Sequence, residues 1–355
     1  MSSPLNKELM ARAIEISRQG FPAPNPHVGC VLERGGEIVG EGFHDHAGGP
    51  HAEVVALTQA RERAMGSTAY VTLEPCNFTG RTGPCSEALI RAGVSRVVIA
   101  CAEPNSKAMG GAERLRSAGI EVIEGVMADE AAAANEAWLK AMMRKSPFVV
   151  VKAAASLDGR IALSSGESKW ITGELAREAG HRLRADCGSV LVGRKTVETD
   201  NPHLSARIPG VTNPPIRIVL DGDGRLDSSY QVFDDTAETL HFSRHPGEGC
   251  IVGPVIGNSF DLPTLMSILF DRGITGVLVE GGAHTIASFV RADLVDRYEL
   301  FLGGRLLGNG LNWYEDVEVE HLSDAPALEI IGCQVLGPDL RITARPVRPN
   351  RGNSG

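Results

Sequence analysis

The stretches His51-Ala52-Glu53, Pro75-Cys76 and Pro84-Cys85 bring one imidazole, one carboxylate and two thiols into the amino-terminal part of this 355-residue chain. Neutral histidine and cysteine thiolate bind Zn²⁺, and three protein ligands leave the fourth tetrahedral position open for water. The metal lowers the pKa of that water, and a nearby glutamate can carry its proton to a leaving amine. A His-x-Glu sequence followed by Pro-Cys is the signature of zinc deaminases. The pattern predicts His51, Cys76 and Cys85 as zinc ligands, and it predicts a proton-shuttle role for Glu53.

The spacing of the cysteines differs from that signature, which has two residues between them. Here eight residues separate Cys76 from Cys85. A closed structural zinc site would need a fourth protein ligand, which His44 or His46 could supply. The offset from the histidine to the glutamate and the two Pro-Cys steps favour catalysis, and the structural site stays open as the alternative.

Composition narrows the class of protein. The net charge of −9 argues against nucleic-acid binding, which usually requires a basic surface. No apolar run reaches the length of a membrane span, and the first residues lack the apolar core of a signal peptide. Seven scattered cysteines do not form the pattern of a disulfide framework. We therefore expect a cytoplasmic protein, and the length favours two domains.

The first half of the chain alternates between helical and extended patterns. Gly35-Gly36 joins two short strands and predicts a β-hairpin. Cys85 is expected to open a helix, where the macrodipole favours its thiolate form. This alternation is typical of an α/β/α layered domain, which we place at residues 1–146. The predicted helices span 5–19, 51–63, 85–92, 115–119 and 129–144, and the predicted strands span 28–32, 38–42, 70–73, 97–101 and 120–123.

A β-branched run that begins at Phe148 opens a second α/β unit, predicted for residues 147–348. The tail 349–355 is polar and contains Gly and Pro, so we expect it to be disordered. The predicted strands of this unit span 148–155, 190–192, 216–220, 239–242, 276–280, 298–302 and 340–344, and the predicted helices span 174–184, 262–272 and 284–292.

Four motifs of the first domain carry a resemblance to a known family. They are Ala23-Pro-Asn-Pro-His-Val-Gly29, Ala47-Gly-Gly-Pro-His-Ala-Glu53, Leu73-Glu-Pro-Cys76 and Gly80-Arg-Thr-Gly-Pro-Cys85. The chain resembles the bifunctional deaminase-reductase of riboflavin biosynthesis, the RibD family, in which a long loop between the cysteines is typical. The resemblance implies a cytidine-deaminase-like α/β/α fold for the first domain. It also implies that Asn25 and His44 contact the pyrimidine.

The second domain lacks the Gly-x-Gly-x-x-Gly motif of a Rossmann dinucleotide site. The sequence from Val277 to His284 instead predicts a strand, a glycine turn and a helix start, whose free N–H groups suit a pyrophosphate. Further segments match the reductase half of the RibD family, whose fold is that of dihydrofolate reductase. They are Lys152–Arg160, Ser168–Gly173, His181–Ala185, Val192–Val197 and Asp200–Arg207.

The resemblance assigns roles to individual residues of the second domain. Arg184 and Arg207 are the candidates for the substrate phosphate, since a guanidinium fork suits that dianion, although surface arginines are more often simply solvated. Lys195 stands where the family usually has a small residue, and Asn201 where it usually has Asp. The implied substrate contacts are Ser168, Arg184, Asp200, Leu204, Arg207 and Glu280, and the implied cofactor contacts are Ala154, Trp170, Thr196, Asp200, Gly281 and Gly282.

The resemblance implies a zinc-dependent deamination of a phosphoribosylated pyrimidine, followed by reduction of its ribosyl group with NADPH. It implies a homo-oligomer, a dimer or a tetramer, with no nucleic-acid or membrane partner. Three other functions stay open as alternatives. They are a nucleic-acid deaminase with an appended domain, a structural zinc domain joined to a folate-type reductase, and a non-enzymatic ligand-binding protein.

Overall fold

The computed structural model describes residues 4–79, 83–315 and 319–348. The chain forms two compact units, one extending to Lys145 and the other starting at Ser146. Both units combine helices with a sheet, mixed in the first unit and mainly parallel in the second, which confirms the predicted α/β class. The predicted disordered tail, 349–355, lies outside the described residues. No helix in the described ranges has both the length and the apolar character that a bilayer crossing requires.

The first unit is built on a five-stranded sheet with strand order β2-β1-β3-β4-β5. Strand β1 is antiparallel to β2 and β3, and β3, β4 and β5 are parallel. The strands are β1 Gly29–Arg34, β2 Glu37–Phe43, β3 Thr68–Leu73, β4 Arg96–Cys101 and β5 Glu121–Glu124. The helices are α1 Pro4–Ser17, α2 Ala52–Ala60, α3 Cys85–Arg91, α4 Gly111–Ser117, α5 Ala128–Ala134 and α6 Glu136–Arg144, with a 3₁₀ turn at Arg61–Ala64.

Both faces of this sheet are covered by helices. One apolar cluster joins Met10 and Ala13 of α1 to Tyr70 of β3, and a second joins Ala56 of α2 to Val71 on the opposite face. Every residue of β3 is buried, as expected for a strand with helices on both sides. The hairpin between β1 and β2 turns at Gly35 and Gly36, whose φ angles of 64° and 88° match a two-residue type I′ turn.

The alanine-rich segment that follows β5 differs from the sequence prediction. We predicted one helix over 129–144, and this prediction is wrong, because α5 and α6 are separated at Asn135. The Asn135 side chain, 4% exposed, accepts a hydrogen bond from the His27 N–H at 2.8 Å and donates to the His27 carbonyl at 2.7 Å. Asn135, at the break, therefore pairs with both backbone groups of His27, in the loop that also contains Asn25.

The second unit has a nine-stranded sheet with strand order β11-β10-β9-β8-β14-β6-β15-β18-β17. Neighbouring strands from β11 to β15 are parallel, and the last two pairings, to β18 and β17, are antiparallel. Two further pairs, β12-β13 and β16-β7, form small two-stranded sheets. The strands of this unit are β6 Phe148–Ser156, β7 Arg160–Ala162, β8 Ser189–Gly193, β9 Ile216–Leu220, β10 Thr239–Ser243, β11 Ile251–Val252, β12 Val255–Ile256, β13 Ser259–Phe260, β14 Gly276–Val279, β15 Arg297–Gly303, β16 Leu311–Asn312, β17 Leu328–Leu336 and β18 Asp339–Pro346.

The helices of the second unit are α7 Glu174–Cys187, α8 Arg194–Asp200, α9 Leu262–Asp271 and α10 Ala283–Arg291, with 3₁₀ turns at Gln231–Phe233 and Leu322–Asp324. Its core joins apolar residues of the central strands to α9 and α10, as in the contact of Val277 and Val279 with Leu265 and Phe289. Helix α8 and strand β17 had not been predicted from the sequence.

Candidate active sites

Three separate elements deliver the predicted zinc ligands to one point. His51 precedes α2, Cys76 follows the carboxyl end of β3, and Cys85 opens α3. The His51 Nδ1 atom lies 3.2 Å from the Cys85 sulfur and 3.6 Å from the Cys76 sulfur, and all three ligand atoms lie within 4.8 Å of one another. Tetrahedral zinc with ordinary bond lengths needs ligand atoms about 3.6 Å apart. The three side chains therefore fit a zinc ion.

The structural-zinc alternative requires a fourth ligand. Within residues 4–79, 83–315 and 319–348, the cluster at this point consists of the three predicted ligands alone. The Nδ1 of His44 donates to the Pro50 carbonyl at 3.0 Å, and its Nε2 accepts from the Asn25 amide at 3.0 Å. His46 pairs with the Asp45 carboxylate at 3.0 Å. Both histidines are thus engaged elsewhere, and the described ligand set is that of an open site.

The thiol of Cys76 is set up to ionise. Its sulfur accepts a hydrogen bond from the Cys85 backbone N–H at 3.4 Å. Hydrogen bonds from the Cys85 thiol and from His51 lower the pKa of Cys76 to about 4. Thiolate is the form that binds zinc, so the pocket favours the protonation state that the ligand needs.

Glu53, the second residue of α2, is 3% exposed and lies against the ligand cluster. Burial raises the pKa of its carboxyl, although the charge of His51 acts in the opposite direction. A raised pKa makes the carboxylate a stronger base toward the proton of a water molecule. The structure therefore brings Glu53 to the predicted ligands, and its role as the proton shuttle stays a prediction.

The two predicted pyrimidine contacts also lie beside the ligands. The ring of His44 meets the ring of His51 edge-on, with centroids 5.3 Å apart. Burial lowers the pKa of His44, so the neutral imidazole is favoured. Because the Asn25 amide nitrogen donates to His44, its carbonyl oxygen is turned to a different direction and keeps its capacity to accept.

Two further glutamates, Glu74 and Glu103, lie near the ligand Cys76, and neither was predicted as a site residue. The Glu74 carboxylate accepts from the backbone N–H groups of Glu103, Gly110 and Ala112 at 3.0–3.1 Å, which fixes the loop after β4. Burial raises the pKa of Glu103 to about 7. The signal that could have identified Glu74 is its position directly before the Pro75-Cys76 step.

A cavity of about 810 Å³ lies in the second unit, within the usual size range of a ligand pocket. Four of the predicted site residues line it: Ser168, Thr196, Asp200 and Gly282. The Thr196 hydroxyl accepts from the Gly282 N–H at 3.1 Å, which ties the start of α8 to the turn before α10. A side chain at Gly281 would place Cβ only 2.6 Å from Thr285 Cβ, so glycine is needed there for close packing.

Arg184 and Glu280 were both predicted to contact substrate, and the structure pairs them with each other. Nε and Nη2 of Arg184 donate to the two carboxylate oxygens of Glu280 at 2.7 and 2.9 Å. The Nζ atom of Lys152 lies 3.6 Å from the same carboxylate. Burial alone would raise the pKa of Glu280, but Arg184 and Lys152 lower it to about 2. Arg184 is therefore largely committed to an ion pair, and neither partner is among the residues that line the cavity.

Arg207 is exposed, and its Nη2 lies 3.3 Å from Nε2 of His181. Since arginine can only donate, Nε2 accepts, and the other ring nitrogen donates to the Ser205 carbonyl at 2.9 Å. His181 had been assigned no site role. The side chain of Leu204 is 3% exposed and packs in an apolar cluster with Val197, so only its backbone is available to a substrate.

The remaining predicted cofactor contacts lie outside the lining of the cavity. Trp170 is 61% exposed and stacks under the Arg177 guanidinium, 4.6 Å from its ring centroid. Ala154 is half-buried on β6, opposite Phe301 of β15. The structure thus gathers part of the predicted set at the cavity and leaves Trp170 and Ala154 apart from it.

The chain matches two protein families. Residues 147–342 match the family described as "RibD C-terminal domain", and residues 4–101 match the family described as "Cytidine and deoxycytidylate deaminase zinc-binding region". Among curated proteins, the riboflavin biosynthesis protein RibD of Aquifex aeolicus is 38% identical, with 95% of this chain and 98% of that protein covered. RibD of Escherichia coli is 39% identical, with 93% and 96% covered.

Solved structures give the same result. RibD of Acinetobacter baumannii superposes with a TM-score of 0.88 at 38% identity, covering 97% of this chain and 99% of that one. A diaminohydroxyphosphoribosylaminopyrimidine deaminase/5-amino-6-(5-phosphoribosylamino)uracil reductase of Thermotoga maritima superposes with a TM-score of 0.84 at 35% identity, covering 96% and 99%.

Proposed function

The chain belongs to the RibD family of riboflavin biosynthesis proteins, and from that premise we propose which substrates and residues its two domains use. The family makes it a bifunctional deaminase and reductase, with zinc and NADPH as cofactors. We propose that the first domain deaminates 2,5-diamino-6-(5-phosphoribosylamino)pyrimidin-4(3H)-one. The second would then reduce the ribosyl group of 5-amino-6-(5-phosphoribosylamino)uracil to ribityl. The open three-ligand set beside buried Glu53 is the observation that carries the proposal.

In the deamination, His51, Cys76 and Cys85 hold the zinc ion. When bound, zinc supplies Lewis acidity and lowers the pKa of the attacking water. Glu53 takes the proton of that water and passes it to the leaving amine, so water adds at the ring carbon and ammonia departs. Asn25 and His44 orient the pyrimidine, since both lie beside the ligand His51 and the Asn25 carbonyl can accept from a ring N–H.

In the reduction, NADPH supplies the hydride. We propose that the cofactor is held through Ala154, Trp170, Thr196, Asp200, Gly281 and Gly282, and the substrate through Ser168, Asp200, Leu204 and Arg207. The cavity lining supports Ser168, Thr196, Asp200 and Gly282 directly. Of the two arginines, exposed Arg207 is the better candidate for the substrate phosphate, because Arg184 is paired with Glu280. Arg184 would instead hold the Glu280 carboxylate in place.

The partners of the chain are small phosphoribosylated pyrimidines, and we propose neither a nucleic-acid nor a membrane partner. We further propose a cytoplasmic homo-oligomer, a dimer or a tetramer. The edge strand β17 supports self-association, because Ile330 and Val335 on it are 66% and 73% exposed. An apolar edge strand is usually covered in a stable protein. The acidic net charge of −9 disfavours a nucleic-acid partner.

The test uses purified protein with the diaminopyrimidine ribosyl phosphate, followed by mass spectrometry without and then with NADPH. We expect exchange of an amino group for oxygen without cofactor, and uptake of two hydrogens after NADPH is added. Deamination of an oligonucleotide with no reaction of the free pyrimidine would instead support a nucleic-acid deaminase. Zinc content with neither reaction would support the structural-zinc function.

A further inference from the structure

The cavity of the second unit is lined by three Lys or Arg side chains, and two of them are already paired. Arg194 lies 3.2 Å from the carboxylate of Glu198 and 3.7 Å from that of Asp221. Arg244 lies 2.5 Å from the Asp223 carboxylate and donates to the carbonyl of Gly222 at 3.1 Å. These contacts neutralise both guanidinium groups within the protein.

Lys195 is the third of these cations. It is the second residue of α8, its side chain is exposed, and it lines the cavity. Within the part of the chain that the structure describes, no carboxylate pairs with its ammonium group. Lys195 therefore places in the cavity a positive charge that no carboxylate of the described residues neutralises.

The neighbours of Lys195 identify the kind of ligand that this charge would meet. The next residue, Thr196, is tied to Gly282, and α10 begins directly after that glycine. The first residues of α10 line the cavity, and the amino end of this nine-residue helix carries a positive partial charge. The Lys195 ammonium group and the amino end of α10 lie on the same part of the cavity, and together they favour the binding of a phosphate group.

The order of the strands indicates which phosphate of the cofactor lies there. Strands β8 and β14 are neighbours, and Lys195 and Gly282 follow their carboxyl ends. Apolar Phe260 and Leu262 line the cavity and pack in the cluster that contains Leu240 and Phe242 of β10, so an adenine would pack on this side. Ala162 of β7, which contacts β6, and Ser168, which is proposed to hold the substrate, line the cavity toward the β6–β14 side. A dinucleotide that extends from the adenine side to the substrate side has its pyrophosphate in the middle, where Lys195 and Gly282 lie.

We propose that Lys195 binds the pyrophosphate of the nicotinamide cofactor, and that it strengthens dinucleotide binding in this chain. This inference rests on the proposed function of the second domain. The charge of Lys195 would act together with the positive partial charge at the start of α10. A pyrophosphate contact acts on NADPH and NADH alike, whereas a contact with the 2′-phosphate would act on NADPH alone.

The test measures the dissociation constants of NADPH and NADH for the full chain by calorimetry or fluorescence quenching, without substrate. We expect Lys195→Gln to raise both constants by a similar factor, about tenfold, as for loss of one charged hydrogen bond. Lys195→Arg should restore most of the affinity because it keeps the charge. Lys7→Gln, which removes an exposed lysine of the first unit, is the matched control and should leave both constants unchanged.

Each alternative outcome has a distinct meaning. Unchanged constants in a folded Lys195→Gln protein would overturn the inference. Weakening of NADPH alone would also overturn it, because the lysine would then contact the 2′-phosphate. If the unsubstituted protein bound neither dinucleotide, the proposed function of the second domain would fail, and this inference with it.

Discussion

Glu53 is the residue whose substitution separates proton transfer from metal binding. Its carboxyl is buried beside the ligands but is not one of them. We expect Glu53→Gln to keep its zinc and to release ammonia at least about 100-fold more slowly, as for loss of a general acid-base. Metal analysis and an ammonia assay would measure the two properties. Glu8→Gln, an exposed control on α1, should change neither, and near-normal ammonia release by Glu53→Gln would refute the shuttle role.

Glu103 gives the first unit a specific pH dependence. Burial raises its pKa from 4.5 to about 7, so the folded state binds a proton that the unfolded state has already lost in this range. The contribution to stability is present below about pH 4.5 and is lost as the pH rises through 7. Glu103→Gln keeps an oxygen for the Asn105 N–H. We therefore expect this variant to flatten the decline, measured as the unfolding midpoint of the first unit from pH 5 to 8. An unchanged slope would contradict this assignment.

The residues that sequence could identify are those with fixed local motifs. The zinc ligands lie in three short motifs whose chemistry is specific, so their meeting point was predictable. The pairing of Arg184 with Glu280 joins residues 96 positions apart and depends on how α7 packs beside β14. No local pattern encodes that distance, and for this reason Arg184 was predicted as a free phosphate ligand.

At the scale of elements, the break between α5 and α6 anchors the loop that carries Asn25. Asn135→Ala would remove the side chain that pairs with the N–H and the carbonyl of half-buried His27. We expect a loss of about 2 kcal/mol or more in the stability of the first unit, and a higher KM for deamination. Denaturant unfolding and steady-state kinetics would measure both. Gln19→Ala, at an exposed amide, is the control, and equal stability of the two variants would argue against the anchor.

Each element that the sequence did not predict has its own physical cause. Helical periodicity continues through Asn135, so the pattern could not show that its side chain is used by a loop 108 residues earlier. Strand β17 is exposed along most of its length, and it therefore lacks the alternation that marks a half-buried strand. Helix α8 is only seven residues long and has a single buried residue, Val197. Central strands such as β6 and β14 were predicted because their burial produces continuous apolar runs.

At the scale of the whole molecule, the two chemistries use residues of different units. The zinc ligands and Glu53 belong to the unit that ends at Lys145, and every residue that lines the 810 Å³ cavity belongs to the other. The predicted family and the predicted pair of activities are confirmed. The structure brings Ser168, Thr196, Asp200 and Gly282 to the cavity, whereas Arg184 and Glu280 pair with each other outside its lining.

This separation predicts that removing zinc disables one activity and spares the other. Dialysis of the full chain against a chelator should abolish ammonia release, because His51, Cys76 and Cys85 then hold no metal. Oxidation of NADPH with the deaminated substrate should continue at about its former rate, since no zinc ligand lies in the second unit. Added Zn²⁺ should restore deamination, whereas Mg²⁺ should not, because thiolate ligands select the softer metal. Parallel loss of both activities would show that the reductase depends on the zinc site. Ammonia release by zinc-free protein would remove the metal from the mechanism.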